Sequence, residues 1–150
     1  MDKWDKAHME AAEVYGSLSH AKKLKVGCVI VRDNRIISIG YNGTPSGWDN
    51  NCEKRKPSAM NKPTLDYWTD LETKPEVLHA ETNAITKLAK SSESAEGATL
   101  YCTYNPCFDC AKLIYQSGIT RVVYKNKYRD DAGIKFLEKA GCWVEKYDNT

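Results

Sequence analysis

Two short groups of metal-binding residue types constrain this chain more than any other feature of its sequence. His79 and Glu81 are separated by one residue, and Cys107 and Cys110 follow downstream, separated by two. A catalytic zinc site has three protein ligands, whereas a structural site is closed by four. His79 and the two cysteines make three, and Glu81 is near enough to move protons at a substrate. Any fold that uses these residues must bring two distant segments to one point.

Local sequence patterns place both groups at helix N-termini. Apolar residues at helical spacing predict a helix over residues 79–88. A second helix is predicted over residues 107–117, because Pro106 suits the start of a helix and Gly118 its end. The partial positive charge of each N-terminus is expected to lower the pKa of the two thiols and so favour the thiolates that zinc binds.

The remaining apolar runs predict an α/β fold with a mixed five-stranded sheet. Residues 26–31 and 36–41 flank the turn-forming pair Asp33-Asn34, which predicts an antiparallel hairpin buried on both faces. Further strands are predicted at 98–103, 122–124 and 142–147, and a last helix at 132–140. Helices on both faces of this sheet give a three-layer α/β/α arrangement. A packing helix is also predicted over residues 4–18, with an apolar face made of Trp4, Ala7, Ala11, Val14, Tyr15 and Leu18.

Length and composition bound the class of protein. The 150 residues suit a single domain, 1–150, in which the Gly-, Pro- and Asn-rich stretch after Asn42 contains a variable insert at about 48–77. The N-terminus has the pattern of a helix, not of a signal peptide, and no run approaches the ~18 apolar residues of a membrane span. We therefore expect a cytoplasmic protein with reduced cysteines and no membrane contact.

The charge balance favours a small ligand. The formal net charge is +2 and the sequence pI is about 8.1. These values lie below the strongly basic balance expected of a nucleic-acid-binding domain. A small anionic ligand therefore suits the chain better than a long polyanion.

Several motifs resemble those of the deoxycytidylate (dCMP) deaminase family, within the larger cytidine deaminase-like fold. They are the His-x-Glu and Pro-Cys-x-x-Cys groups, the segment VGCVIV at 26–31 and the segment GYNGTPSG at 40–47. The resemblance implies zinc-dependent hydrolysis of dCMP to dUMP and ammonia, which supplies dUMP for thymidylate synthesis. It also implies a homo-oligomer, a hexamer, activated by dCTP, with Mg²⁺ accompanying that nucleotide, and inhibited by dTTP.

The resemblance assigns roles residue by residue. It implies that His79, Cys107 and Cys110 bind zinc and that Glu81 is the proton shuttle. Two other functions remain open. One is deamination of another cytosine or adenine substrate, including RNA or single-stranded DNA. The other is a binding module without turnover, in which a fourth protein ligand closes the zinc site.

Four further residues are the substrate-binding candidates that the resemblance implies. Asn42 would hydrogen-bond the deoxyribose or phosphate, and Tyr128 would lie against the sugar and select deoxyribose. Ser19 and Lys25, which flank the first strand, would reach the phosphate, and Lys22 and Lys23 add basic charge beside them. The alternatives are that Asn42 stabilises its own turn, that Tyr128 is a surface residue and that Lys25 is simply solvated.

The other cysteines match a second zinc site only in part. Certain viral family members bind a structural zinc through cysteines near the first strand and in the insert, where Cys28 and Cys52 stand here. No histidine lies beside them in the sequence, so no second zinc is predicted. Cys28, Cys102 and Cys142 are expected to be buried free thiols in strands. Trp48 and Trp68 in the insert are expected to pack against a neighbouring subunit; the alternative is that they line a regulatory nucleotide pocket.

Overall fold

The computed structural model describes residues 1–61, 69–128 and 130–148, without the side chain of residue 61. The predicted insert is therefore described only in part, and Trp68 lies outside the described residues. The helices are α1 (Lys3–Gly16), α2 (Pro57–Asn61), α3 (Ala80–Ala89), α4 (Phe108–Gln116) and α5 (Ala132–Lys139). The strands are β1 (Gly27–Arg32), β2 (Arg35–Tyr41), β3 (Glu53–Arg55), β4 (Leu71–Thr73), β5 (Thr99–Tyr104), β6 (Arg121–Asn126) and β7 (Trp143–Lys146).

The main sheet is mixed and has five strands, as the sequence predicted. Its strand order is β2-β1-β5-β6-β7, with β1 antiparallel to both neighbours and β5, β6 and β7 parallel. A separate antiparallel ribbon of β3 and β4 was not predicted. Each of its strands has only three residues and is largely polar, so neither carries an apolar pattern. The insert therefore contains local structure of its own.

Alternating side chains divide the core between the two faces of the sheet. In β1, Cys28 and Ile30 pack with apolar residues of α3, α4 and α5, whereas Val29 and Val31 pack with Met9 and Ala12 of α1. This alternation is the two-residue period of a strand. Helices consequently cover both faces, which confirms the predicted three-layer α/β/α fold.

The hairpin forms where predicted, but the prediction that both of its strands are buried is correct only for β1. Asp33 and Asn34 both have positive φ, 53° and 57°, which the tight turns of hairpins require. β1 is buried along almost its whole length, whereas β2 begins with exposed residues. The prediction of burial on both faces is wrong for this part of β2, because β2 is the edge strand of the sheet.

The predicted apolar face of the first helix is wrong for four of its residues. Trp4, Ala7, Val14 and Leu18 are exposed, and Leu18 lies beyond the end of α1. The helix instead buries Asp5 and His8 together with three small or apolar residues, Met9, Ala12 and Gly16. Arg121 of β6 donates to both carboxylate oxygens of Asp5, at 2.8 and 3.2 Å, and the Tyr101 hydroxyl donates at 2.6 Å. Because these partners satisfy Asp5, the face of α1 that packs against the sheet includes a charged residue beside Met9 and Ala12.

None of the helices in the described ranges is both long and apolar enough to cross a membrane.

The Asp5 ion pair predicts a stability loss in acid. Burial alone would raise the pKa of Asp5, but hydrogen bonds from Arg121 and Tyr101 outweigh it and lower the pKa from 3.8 to about 2. The folded state therefore gains about 2 kcal/mol above pH 3.8, and this gain disappears as the pH falls towards 2. In urea unfolding, Asp5→Asn should be less stable than the parent by at least this amount at pH 7.

The stability difference between parent and Asp5→Asn should shrink by about half of that gain at pH 3. Glu10→Gln is the control, because Glu10 is an exposed carboxylate on the same helix. A difference that stays constant from pH 7 to pH 3 would show that Asp5 ionisation does not stabilise the fold.

Candidate active site

The N-termini of α3 and α4 meet and bring the predicted zinc ligands together. His79 is the N-cap residue of α3 and Cys107 that of α4, both with extended backbone, and Cys110 lies in the first turn of α4. His79 Nδ1 is 3.5 Å from the Cys107 sulfur and 3.4 Å from the Cys110 sulfur. The predicted convergence of the two helix N-termini is confirmed.

Two glycines allow these helices to approach their supports. A Cβ at Gly40 of β2 would collide with the carbonyl oxygen of Ala80 in the first turn of α3, and a Cβ at Gly133 of α5 would collide with that of Pro106. Both collisions involve backbone that adjoins a zinc-ligand candidate. The glycines thus set the depth at which the ligand-bearing helix ends lie.

The three side chains fit a zinc ion in ligand type and spacing. Tetrahedral zinc, with bonds of about 2.3 Å to sulfur and 2.0–2.1 Å to nitrogen, separates these atoms by about 3.5 Å. The observed separations of 3.4 and 3.5 Å match this value, and all three ligand atoms lie within 4.8 Å of one another. In the part of the chain that the structure describes, no fourth His, Cys, Asp or Glu joins the group. Three ligands are typical of a catalytic site.

The two thiols hold their protons unequally. The hydrogen bond with Cys110, together with His79 and against the effect of burial, lowers the pKa of the Cys107 thiol to about 3. The hydrogen bond with Cys107 and burial raise the pKa of the Cys110 thiol. The prediction that both pKa values fall is therefore wrong for Cys110, because two adjacent sulfurs compete for one proton. Zinc binding to the pair would release that proton.

Glu81 lies beside this group in the first turn of α3 and is 4% exposed. Its Oε1 accepts a hydrogen bond from the Cys102 thiol of β5 at 2.9 Å. Burial, with the neighbouring Cys28 thiol and the Glu81 charge, raises the pKa of the Cys102 thiol well above its usual value. Cys102 therefore keeps its proton and remains a donor to the carboxylate. The sequence predicted only an ordinary buried thiol at this position.

A cavity opens directly beside His79 and Glu81. Among the predicted substrate residues, Asn42 and Tyr128 line it. The Asn42 amide also braces the chain, since its oxygen accepts from the Val26 backbone and its nitrogen donates to the Leu24 carbonyl. Both the binding role and the turn-stabilising role considered for Asn42 are therefore compatible with its position.

Ser19 and Lys25 do not line this cavity. The buried Ser19 hydroxyl donates to the Asn42 carbonyl at 2.7 Å and accepts from the Ala21 backbone at 3.1 Å. Lys25 is exposed and lines a separate cavity. Lys23 is the lysine that lines the cavity beside Glu81.

The cavity contains a buried asparagine that sequence reasoning missed. The Asn105 oxygen accepts from the Tyr128 backbone at 2.8 Å, and its nitrogen donates to the Asp130 carbonyl at 3.0 Å. The Tyr128 ring also meets Tyr104 edge to face, with centroids 5.8 Å apart. Asn105 thus holds Tyr128 at the cavity. Its place between a strand and Pro106 was the signal available in the sequence.

Comparison with known proteins decides the family. The profile described as the cytidine and deoxycytidylate deaminase zinc-binding region matches residues 2–126. The chain belongs to the cytidine and deoxycytidylate deaminase family. The deoxycytidylate deaminase of Saccharomyces cerevisiae is 38% identical over 148 residues, which cover 98% of this chain and 46% of the yeast protein. That of Schizosaccharomyces pombe is 37% identical over 145 residues, which cover 96% of this chain and 44% of the relative. The chain thus spans slightly less than half the length of these two deaminases.

Solved structures in the same family share the fold over almost the whole chain. The crystal structure of dCMP deaminase from the cyanophage S-TIM5 in complex with dCMP and dUMP superposes with a TM-score of 0.84 at 41% identity. The match covers 98% of this chain and 99% of the cyanophage chain. The apo form of the same enzyme has a TM-score of 0.79 at 40% identity and covers 98% and 100% of the respective chains.

The Cys102 contact predicts a positioning effect on this deaminase-family site. Cys102→Val removes the donor to Glu81 and keeps a buried apolar side chain, so kcat should fall about tenfold with little change in KM, as for loss of a hydrogen bond to a charged group. Cys102→Ser should restore most of kcat because its hydroxyl can donate. Steady-state deaminase kinetics, zinc content and thermal unfolding measure these effects. Parental kcat in a folded, zinc-loaded Cys102→Val variant would rule out positioning.

Proposed function

We propose that this chain catalyses the hydrolytic deamination of dCMP to dUMP and ammonia. The observation that carries the proposal is that three zinc-type ligands meet beside a cavity that one of them, His79, lines together with the buried Glu81 carboxylate. The near-complete match to an enzyme whose crystal structure contains dCMP and dUMP supports the choice of substrate. The three-ligand group favours an enzyme over a binding module with a closed structural zinc.

His79, Cys107 and Cys110 would hold the zinc, and Glu81 would move the protons. When bound, zinc supplies Lewis-acid activation of a water molecule near neutral pH. Glu81 accepts a proton from the attacking water and donates to N3 of the cytosine as the C4–O bond forms. Glu81 then takes the remaining proton from the new C4 hydroxyl and passes it to the C4 amino group, which leaves as ammonia as the C4–N bond breaks and the C4=O bond forms. Water and dCMP are thereby converted to dUMP and ammonia in balance.

The cavity walls suit a single deoxynucleotide. Tyr128, held by Asn105 and Tyr104, offers a ring face to a sugar, and Asn42 lies on the same cavity. Lys23 also lines the cavity, and its ammonium, which donates to the Leu71 carbonyl, is the candidate cation for a phosphate. Ser19 acts on substrate indirectly, since it supports the Asn42 backbone. Lys25 has a weaker case as a phosphate ligand because it lines the separate cavity.

The finer properties rest on the family resemblance. They are a hexameric assembly, activation by dCTP with Mg²⁺, inhibition by dTTP, a cytoplasmic location and supply of dUMP for thymidylate synthesis. The insert after the GYNGTPSG segment provides surface on which a regulatory nucleotide or a neighbouring subunit could act.

Separate variants should distinguish metal binding from proton transfer. Cys107→Ala should lose zinc and activity together, whereas Glu81→Gln should keep zinc and fold but lose about 10²–10⁴-fold in kcat. Cys142→Ala is the matched control, because this buried thiol bonds only weakly, to the Ile119 carbonyl at 3.9 Å, outside the site. Zinc content by mass spectrometry and ammonia release provide the measurements. A kcat of the Glu81→Gln variant within a few-fold of the parent value would show that Glu81 does not transfer the protons.

A substrate panel tests the activity itself. The specificity constant kcat/KM should be highest for dCMP, and much lower for deoxycytidine, because a site that pairs with a phosphate leaves polar groups unpaired without it. CMP should also be a poorer substrate, since a ring against the sugar leaves little space for a 2′-hydroxyl. Equal or better turnover of deoxycytidine, CMP or a cytosine-containing oligonucleotide would refute the dCMP assignment.

The same assay tests regulation. Added dCTP should shift the curve of velocity against dCMP concentration to lower concentration, and dTTP should shift it back.

A further inference from the structure

Glu53 is a buried carboxylate of the insert that lines the same cavity as His79 and Glu81. It is the first residue of β3 and is only 5% exposed. One carboxylate oxygen, Oε2, accepts hydrogen bonds from the backbone N–H groups of Lys22 and Lys23, at 2.9 and 3.1 Å. These two bonds determine the orientation of the carboxylate.

The other oxygen of Glu53 has no hydrogen-bond partner in the part of the chain that the structure describes. Oε1 is buried, and within the described ranges no donor bonds to it. The nearby Lys23 ammonium donates instead to the Leu71 carbonyl at 3.0 Å. A buried acceptor without a hydrogen bond is costly, more so when it is charged, and native proteins contain few of them. A donor supplied by a molecule in the cavity would remove that cost.

The chemistry of a deoxynucleotide limits which donor this can be. The phosphate offers acceptor oxygens and negative charge, which a carboxylate repels, and N3 and O2 of cytosine are acceptors. The C4 amino group is the leaving group and must lie by Glu81. The deoxyribose 2′ carbon carries no hydroxyl. The 3′-hydroxyl is therefore the donor that remains.

We propose that Glu53 Oε1 accepts a hydrogen bond from the 3′-hydroxyl of the substrate and makes the enzyme specific for nucleotides with a free 3′ end. The inference rests on the proposed dCMP activity. A 3′-phosphodiester has no proton to donate and would bring a second negative charge towards Glu53. The same carboxylate that recognises the monomer thus excludes cytosines inside a polynucleotide chain.

The test compares substrates that differ only at the 3′ position. The parent enzyme should have a kcat/KM for dCMP that exceeds that for 2′,3′-dideoxycytidine 5′-monophosphate by about 10- to 100-fold, the range for a hydrogen bond to a charged group. Deoxycytidine 3′,5′-bisphosphate should be poorer still. These comparisons use the unaltered protein and do not depend on how any variant folds.

Glu53→Gln then assigns the effect to this residue. The amide oxygen can still accept from the backbone of Lys22 and Lys23, but an N–H₂ group replaces the acceptor Oε1. The preference for dCMP over the dideoxy substrate should fall about tenfold, with most of the loss in dCMP turnover. Glu72→Gln is the matched control, because Glu72 lies on β4, carries the same charge and faces Lys54 outside the cavity.

The outcomes separate this inference from the proposed function. Rates for dCMP and its dideoxy analogue within about threefold in the parent would overturn the inference while leaving dCMP deamination intact. An unchanged preference in a folded, zinc-loaded Glu53→Gln variant would also overturn it and would leave Glu53 as an anchor of the Lys22–Lys23 backbone alone. No turnover of dCMP by the zinc-loaded parent would overturn the proposed function, and the inference with it.

Discussion

The meeting of two helix N-termini at one point is the constraint on which the rest of this structure depends. Each N-terminus carries about half a positive charge, so α3 and α4 repel one another unless negative groups lie between them. The Cys107 thiolate and the Glu81 carboxylate supply that charge. Gly40 and Gly133 allow the close packing that holds the helix ends in place. One zinc-ligand candidate, Cys107, and the neighbouring Glu81 therefore also offset the positive charge of the two helix ends.

Three buried carboxylates show how hydrogen bonding relates to role. Asp5 is surrounded by donors from Arg121 and Tyr101 and joins α1 to the sheet, a purely structural task. Glu81 has a thiol donor, Cys102, which orients its carboxylate beside the cavity. Glu53 has one satisfied oxygen and one that no donor among the described residues reaches. A carboxylate that is fully bonded within the protein stabilises, whereas a partly bonded one at a cavity can act on a ligand.

Two asparagines that line the cavity, Asn42 and Asn105, brace the backbone around it. Asn42 bonds to the chain before β1, and Asn105 bonds to the segment that carries Tyr128. In each amide the oxygen accepts from one backbone N–H and the nitrogen donates to one backbone carbonyl, so each side chain holds a loop in one position. Substrate contacts from these loops then require little further ordering, which reduces the entropy lost on binding.

The sequence by itself determined the order of helices and strands, the three-layer fold and the identity of the zinc-ligand candidates, because these depend on local periodicity and on residue chemistry at short spacing. It did not determine which face of α1 is buried, since the partner of Asp5 lies 116 positions away and satisfies a charge that local patterns place at the surface. The strands of the insert were too short to show a period. Only the tertiary structure brought Cys102 to Glu81, Asn105 to Tyr128 and Glu53 to the cavity. Each of these contacts joins two segments that are distant in the sequence. Their proximity follows from sheet order and helix packing, because no pattern within either segment specifies it.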